Sequence, residues 1–238
     1  MTDRGRVAVL SGSGIRLGDD PAVRSAPVVY VVDDDISVRE ALEALFSSAG
    51  WRTELFSSAK AFLSHHRDTG PSCLVLDLSL PDIYGLDLQM RISADTALMP
   101  VVVITAYGDV PQAVRAMKAG AHEFLIKPLD DECLLNAVRQ AIERSRAALN
   151  EEAENRLLRA RLASLSRRER EVMSLITRGL LNKQVGAELG ISEITVKAHR
   201  GRVMRKMQAR SLVDLVNMGA KLDLRPADRA GQDLQVRP

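Results

Sequence analysis

With 238 residues, 46% of them hydrophobic, the chain is long enough for two modest domains, each with its own core. No apolar run approaches the roughly 20 residues that span a bilayer, and the N-terminal VAVL run is too short for a secretion signal, which excludes a membrane protein and leaves a cytoplasmic one expected. The net charge of +2 conceals an asymmetry: residues 27–130 carry 8 Lys or Arg against 14 Asp or Glu, whereas residues 164–220 carry 11 against 5, so the basic second half suits a polyanionic partner.

Residues 1–26 have little periodicity and read as a flexible extension; Gly12, Gly14 and Gly18 lack the strand before and helix after that a nucleotide loop needs. From Val28 strand and helix patterns alternate. VVYVVD is a buried strand, and Ser37 to Glu40 reads as a capping box opening a helix with the stripe Val38, Ala41, Leu42, Leu45 and Ala49, stopped by Gly50. WRTELF is a second strand, followed by a short helix over Ala59 to His66. Cys73 to Asp77 is an apolar run ending on a carboxylate, with Pro81 blocking extension. A helix over Leu86 to Ile92, the strand VVVIT, a helix opened by Asp109 and Pro111 and ending at Gly120, and a strand over Glu123 to Ile126 follow. Asp130 caps a last helix carrying Leu134, Val138, Ala141 and Ile142. Five strands alternating with five helices predict an α/β domain over 27–145 with a doubly wound parallel sheet.

From Leu134 to about Leu162 no Gly or Pro interrupts strong helix formers, so a continuous connector helix is expected, with a helical linker at 146–163. Its apolar positions do not hold a strict heptad over three repeats. Cys73 and Cys133 lack metal-ligand spacing and are expected to be buried thiols without a disulfide. Ser166 to Glu169 forms a second capping box. The all-α region that follows, 164–221, has four helices: one ending at Gly179, one capped by Asn182 and closed by Gly190, one capped by Ser192 and running to Met207, and one from about Leu212 to Met218. The short turn at Gly190 to Ser192 makes the middle pair a helix-turn-helix. Residues 222–238 read as a flexible tail.

With the first and third strands as neighbours, Asp33, Asp34 and Asp77 meet at the C-terminal sheet edge, where ligands gather in such folds. Three carboxylates need a cation, and a hard divalent ion such as Mg²⁺ suits them. Thr105 ends the fourth strand and Lys127 follows the fifth, adding a hydroxyl and an ammonium. The set suits a phosphoryl group attacked by a carboxylate.

Residues 28–145 resemble the receiver domain of two-component response regulators, in VVDDD, LVLDLSLPD, VVVITAYGD and AGAHEFLIKP. The resemblance implies that Asp77 accepts a phosphoryl group from a sensor histidine kinase. It further implies that Asp33, Asp34, Asp77 and the backbone carbonyl of Ser79 bind Mg²⁺, that Lys127 pairs with the phosphoaspartate, and that Thr105 and Phe124 form the switch. Tyr107 and Ser79 would flank the attacking water. A phosphatase of the haloacid dehalogenase type would need a second Asp two residues after the nucleophile, where this chain has Ser79, so no enzyme is expected.

On the Ser192-capped helix, Val196, His199, Val203 and Met207 repeat at helical spacing and face inward, which turns Lys197, Ala198, Gly201 and Arg205 outward. Such a face can enter a major groove, with Arg200, Arg202 and Lys206 reaching the phosphate backbone and Lys183 making a further phosphate contact. Residues 165–207 are similar to the LuxR-type DNA-binding domain of the NarL/FixJ class, especially its FixJ-like members, in which the positions of Lys197, Ala198 and Gly201 face the groove; Thr195 joins the expected DNA-binding set. The resemblance implies a phosphorylation-switched transcription factor that dimerises, binds double-stranded promoter DNA and works with RNA polymerase.

Overall fold

The structure is a computed structural model, and it describes residues 26–92 and 97–222. The expected N-terminal extension and C-terminal tail lie outside the described residues, apart from Ala26 and Leu222.

Five strands, β1 (Val28–Val32), β2 (Arg52–Phe56), β3 (Ser72–Asp77), β4 (Val101–Thr105) and β5 (Glu123–Ile126), form one parallel sheet in the order β2-β1-β3-β4-β5. The helices α1 (Ile36–Ser48), α2 (Ala59–Ser64), α3 (Gly85–Arg91), α4 (Val110–Lys118) and α5 (Asp131–Ala163) alternate with them. The chain steps outward from β1 to β2, then returns past β1 to β3. Right-handed crossovers therefore put α1 and α5 on one face and α2, α3 and α4 on the other. Alternate residues feed the two cores: Tyr30, Leu74 and Val103 pack with Phe62, Leu88 and Ala116, while Val31, Val75 and Ile104 pack with Leu42, Phe46 and Val138. Burial on both faces is why β1, β3 and β4 read as unbroken apolar runs.

Helix α1 differs from expectation in two ways. Its N-cap is Asp35, whose carboxylate accepts the Ser37 amide at 2.8 Å, rather than Ser37 itself. Its buried residues are Leu42 and Phe46, with Val38 and Leu45 beside them, while Ala41 and Ala49 are exposed. Phe46 lies one turn after Leu42 on the same ridge and fills more of the space under the sheet than either alanine can. In α5, the buried Ser145 hydroxyl accepts the Ser72 amide at 3.0 Å and donates to the Leu98 carbonyl, which ties the helix to the N-terminal edge of the sheet. Cys133, expected to be buried, is exposed in the first turn of α5; Cys73 is buried in β3, and both are free. Helix α5 then runs unbroken to Ala163, and the chain divides into two compact units within it, between Glu151 and Glu152.

The second unit holds α6 (Arg167–Thr177), α7 (Asn182–Leu189), α8 (Glu193–Met207) and α9 (Leu212–Lys221) around Val172, Met173, Ile176, Val196, Val203 and Leu215. The capping box forms at the start of α6: Ser166 Oγ accepts the Glu169 amide at 3.3 Å and Glu169 accepts the Ser166 amide at 2.8 Å. Helix α7 is capped at Leu181, not Asn182; Asn182 is its first helical residue, and its Oδ1 accepts from Arg200 Nη1 at 3.3 Å. The turn into α8 needs Gly190 at φ 66° and Gly186 without a side chain, because a Cβ on Gly186 would lie 2.7 Å from the Ile191 carbonyl oxygen. Among the described residues no helix is long and apolar enough to cross a membrane.

Candidate functional site

Val32 pairs with Leu76, so the residues after them, Asp33 and Asp77, leave adjacent strands side by side at the C-terminal edge. One carboxylate oxygen from each of Asp33, Asp34 and Asp77 lies within 4.8 Å of the others; Asp33 and Asp77 are buried and Asp34 is exposed. Lys127, following β5, donates from Nζ to Asp33 Oδ2 at 2.7 Å and to Asp77 Oδ2 at 3.3 Å. Burial pushes the Asp33 carboxyl above its ordinary range; the Lys127 ammonium and the Asp35 amide pull it back only in part, and the Asp77 charge adds to the rise. Burial works against the Lys127 ammonium as well, but the Asp33 and Asp77 carboxylates outweigh it and hold its pKa above the ordinary lysine value. Three carboxylates facing one ammonium leave the pocket net negative. With hard oxygen donors only, its chemistry fits Mg²⁺.

Backbone contacts fix this geometry. The Asp35 amide donates to Asp33 Oδ1 at 2.9 Å and the Ser79 amide to Asp77 Oδ1 at 3.2 Å. Gly85, at the start of α3, has no room for a side chain: a Cβ would lie 2.6 Å from the Asp77 carbonyl oxygen and 2.7 Å from Leu78 Cα. Thr105 is buried, and its Oγ1 accepts the Tyr107 amide at 3.2 Å. Phe124 is half-buried against the core, and its ring borders Gly108, where a Cβ would meet it at 3.2 Å. Tyr107 is exposed. Thr105 and Phe124 thus bracket the same loop from adjacent strands, while the four charged groups cluster directly.

On α8, Val196, Val203 and Met207 are buried and His199 is half-buried. Lys197, Ala198, Gly201, Arg202 and Arg205 are exposed, as is Lys183 on α7. Thr195 is half-buried with its hydroxyl 2.8 Å from that of Ser192, and Arg200 is held at Asn182. Lys206 was expected at the DNA backbone. Instead its Nζ donates to Glu169 at 2.7 Å and to the Ser164 carbonyl at 3.0 Å, because Glu169 is buried and needs a cation.

The chain matches the response regulator receiver domain over residues 29–139 and the bacterial regulatory proteins, luxR family, over residues 163–219. Nodulation protein W of Bradyrhizobium diazoefficiens is 47% identical over 197 residues, covering 83% of this chain and 87% of that protein. The chain belongs to the NarL/FixJ class of response regulators. Another relative, transcriptional regulatory protein FixJ of Azorhizobium caulinodans, is 43% identical over 85% of this response regulator and 96% of its own length. The solved structure of the response regulator StyR is 45% identical, with a TM-score of 0.75, over 83% of this chain and all of that one. The protein is therefore a two-component response regulator acting in transcription.

Three sets of contacts in this response regulator escaped the sequence reading. Arg39 in α1 donates from Nη1 to the Asp33 carbonyl at 2.6 Å and the Asp34 carbonyl at 2.9 Å, pinning the acidic loop. Asp82 accepts the Ala59 and Lys60 amides at 3.2 and 2.9 Å; these amide bonds, Lys60's foremost, hold its carboxyl below the ordinary range and fasten the loop after β3 to α2. Glu169 anchors Lys206. For Arg39 the one available signal was its place in the second turn of the helix that follows the acidic pair.

Proposed function

We propose that Asp77 accepts a phosphoryl group from the phosphohistidine of a sensor kinase, and that the modified receiver controls dimerisation and promoter binding. The observation that carries the reading is the cluster of Asp33, Asp34 and Asp77 oxygens with Lys127 bridging Asp33 and Asp77. An Asp77 carboxylate oxygen bonds to phosphorus as the P–N bond breaks; the histidine nitrogen keeps the electron pair and takes a proton. Asp33, Asp34, Asp77 and the Ser79 backbone carbonyl would hold Mg²⁺, which would offset the charge of the phosphoryl oxygens. Lys127 stays paired with the phosphorylated Asp77, and Thr105 and Phe124 respond to the new oxygens by rearranging the loop between β4 and α4. Val110, Val114, Met117 and Ile126, exposed apolar residues of α4 and β5, offer a surface for a dimer.

In this reading residues 27–145 are the receiver, 146–163 a helical linker and 164–221 the DNA-binding domain, in a protein that acts in the cytoplasm and works with RNA polymerase. Lys197, Ala198, Gly201 and Arg205 face the major groove, while Lys183, Thr195, Arg200 and Arg202 serve the phosphate backbone. Dimerisation joins two weak half-site contacts into one strong one. The test is phosphorylation by acetyl phosphate with Mg²⁺, followed by sedimentation. Wild type should take label and dimerise, and Asp77→Asn should do neither. Label retained by Asp77→Asn would remove Asp77 as the acceptor.

A further inference from the structure

We propose that Ile194 is a specificity-determining residue that reads the C5-methyl group of a thymine in the major groove, an inference that rests on the DNA-binding reading of α8. Ile194 is the most exposed large apolar side chain among the described residues, with 80% of its surface open to water. It sits in the first turn of α8, two residues after the Ser192 cap. Recognition helices present this end to base edges.

The phase of α8 is fixed by Val196, Val203 and Met207, all fully buried. At 100° per residue the direction opposite that buried stripe falls on Ile194, Ala198, Gly201 and Arg205, four positions of a single ridge. Ala198, Gly201 and Arg205 are likewise exposed. A Cβ on Gly201 would meet nothing within 4 Å, so nothing inside the protein requires glycine there. Glycine in mid-helix forgoes helix stability, and its use on an open face suits a surface that another backbone or a base approaches closely.

The occupant follows from chemistry. An unpartnered apolar group on a protein surface gains by burial, yet this one lies on a ridge ending in Arg205 and beside Lys197, within a unit rich in Lys and Arg. A purely apolar protein partner would have to bury those cations. Duplex DNA instead offers phosphates for the cations and one apolar group in its major groove, the thymine methyl. Lys197 makes an exposed contact to Glu193 at 3.6 Å, weak enough to let it swing to a neighbouring base or phosphate.

The experiment uses the full chain activated with beryllofluoride and Mg²⁺. A bound sequence is first selected from a random duplex pool, and each thymine in it is then replaced in turn by deoxyuridine, which removes only the methyl. Wild type should lose about fourfold in affinity at one thymine per half-site, the worth of burying one methyl group. Ile194→Ala should bind the thymine and uracil versions equally, and Ile194→Val should keep part of the discrimination. Full sensitivity to uracil retained by Ile194→Ala, or no sensitive thymine in wild type, overturns the proposal. So does equal weakening on both duplexes accompanied by a changed sedimentation of the free protein, which would place Ile194 in a protein interface. No sequence enriched from the pool would instead be a failure of the DNA-binding reading itself.

Discussion

Replacing Glu169 by Gln should loosen the recognition helix at neutral pH and loosen it clearly less in acid. Glu169 is buried in the capping box of α6 and accepts from Lys206, in the last turn of α8, at 2.7 Å. The Lys206 hydrogen bond, followed by the Ser166 amide, holds the Glu169 carboxyl down from 4.5 to about 2. At roughly 1.4 kcal/mol per tenfold, that depression has a ceiling of about 3 kcal/mol. The Lys206 side chain is 39% exposed, so solvent screening lowers the expected loss to about 1–2 kcal/mol. A folded-state pKa below the unfolded one stabilises fully above pH 4.5, and that contribution fades as pH falls from 4.5 through about 2. Glutamine keeps the acceptor for the Ser166 amide and removes only the charge. Hydrogen exchange resolved over the α6 and α8 amides of the full chain, at pH 7 and pH 3, reads the effect. Protection should drop in the variant at pH 7 and by roughly half as much or less at pH 3, where the folded carboxyl is still mostly ionised but the unfolded one is not. An equal loss at both pH values would assign the effect to capping geometry and refute the ion-pair argument; no loss at pH 7 would refute the anchor altogether.

Two further changes probe the sheet edge. Lys127→Met removes the ammonium between Asp33 and Asp77, so the metal-free protein should lose about 2–4 kcal/mol in urea unfolding, while Mg²⁺ binding measured by calorimetry tightens by about tenfold. Gly85→Ala forces a Cβ against the Asp77 carbonyl and Leu78 Cα and should cost about 1–3 kcal/mol of receiver stability, followed through the fluorescence of Trp51, the chain's one tryptophan.

What was legible in the sequence is what short-range pattern encodes. An apolar run of strand length ending on Asp77, and another ending on Asp33, fixed both the sheet edge and its carboxylates, because strands buried on both faces leave no alternation to misread. Caps were less certain, since two polar residues near one helix start compete for the same amides. Asp35 outcompetes Ser37 because the turn leaving β1 brings its carboxylate to the Ser37 amide, and Leu181 replaces Asn182 because Asn182 is drawn to Arg200 in α8. The contacts of Arg39 and Asp82, and the pairing of Lys206 with Glu169, stayed hidden for a related reason. Their long or loop-borne side chains reach partners 6, 22 or 37 residues away, a separation that no periodicity records.

Ile194 belongs to neither class, and the difference is instructive about α8. Its place on the outward ridge follows from the same phase that buries Val196, Val203 and Met207, so the sequence already contained it. A search of that face for long polar side chains passes over it, because direct readout is usually sought in hydrogen bonds. Thymine differs from cytosine in the major groove by an acceptor in place of a donor and by one methyl, and only the methyl is matched by an aliphatic side chain. If α8 reads DNA as proposed, a face built from Ile194, Ala198 and Gly201 between Lys197 and Arg205 has its discrimination in shape and methyl burial, with two cations to supply polar contacts. Such a face implies modest selectivity per half-site. Pairing of half-sites then has to supply the remainder of the specificity, which places the burden of promoter choice on the dimer that phosphorylation is proposed to form.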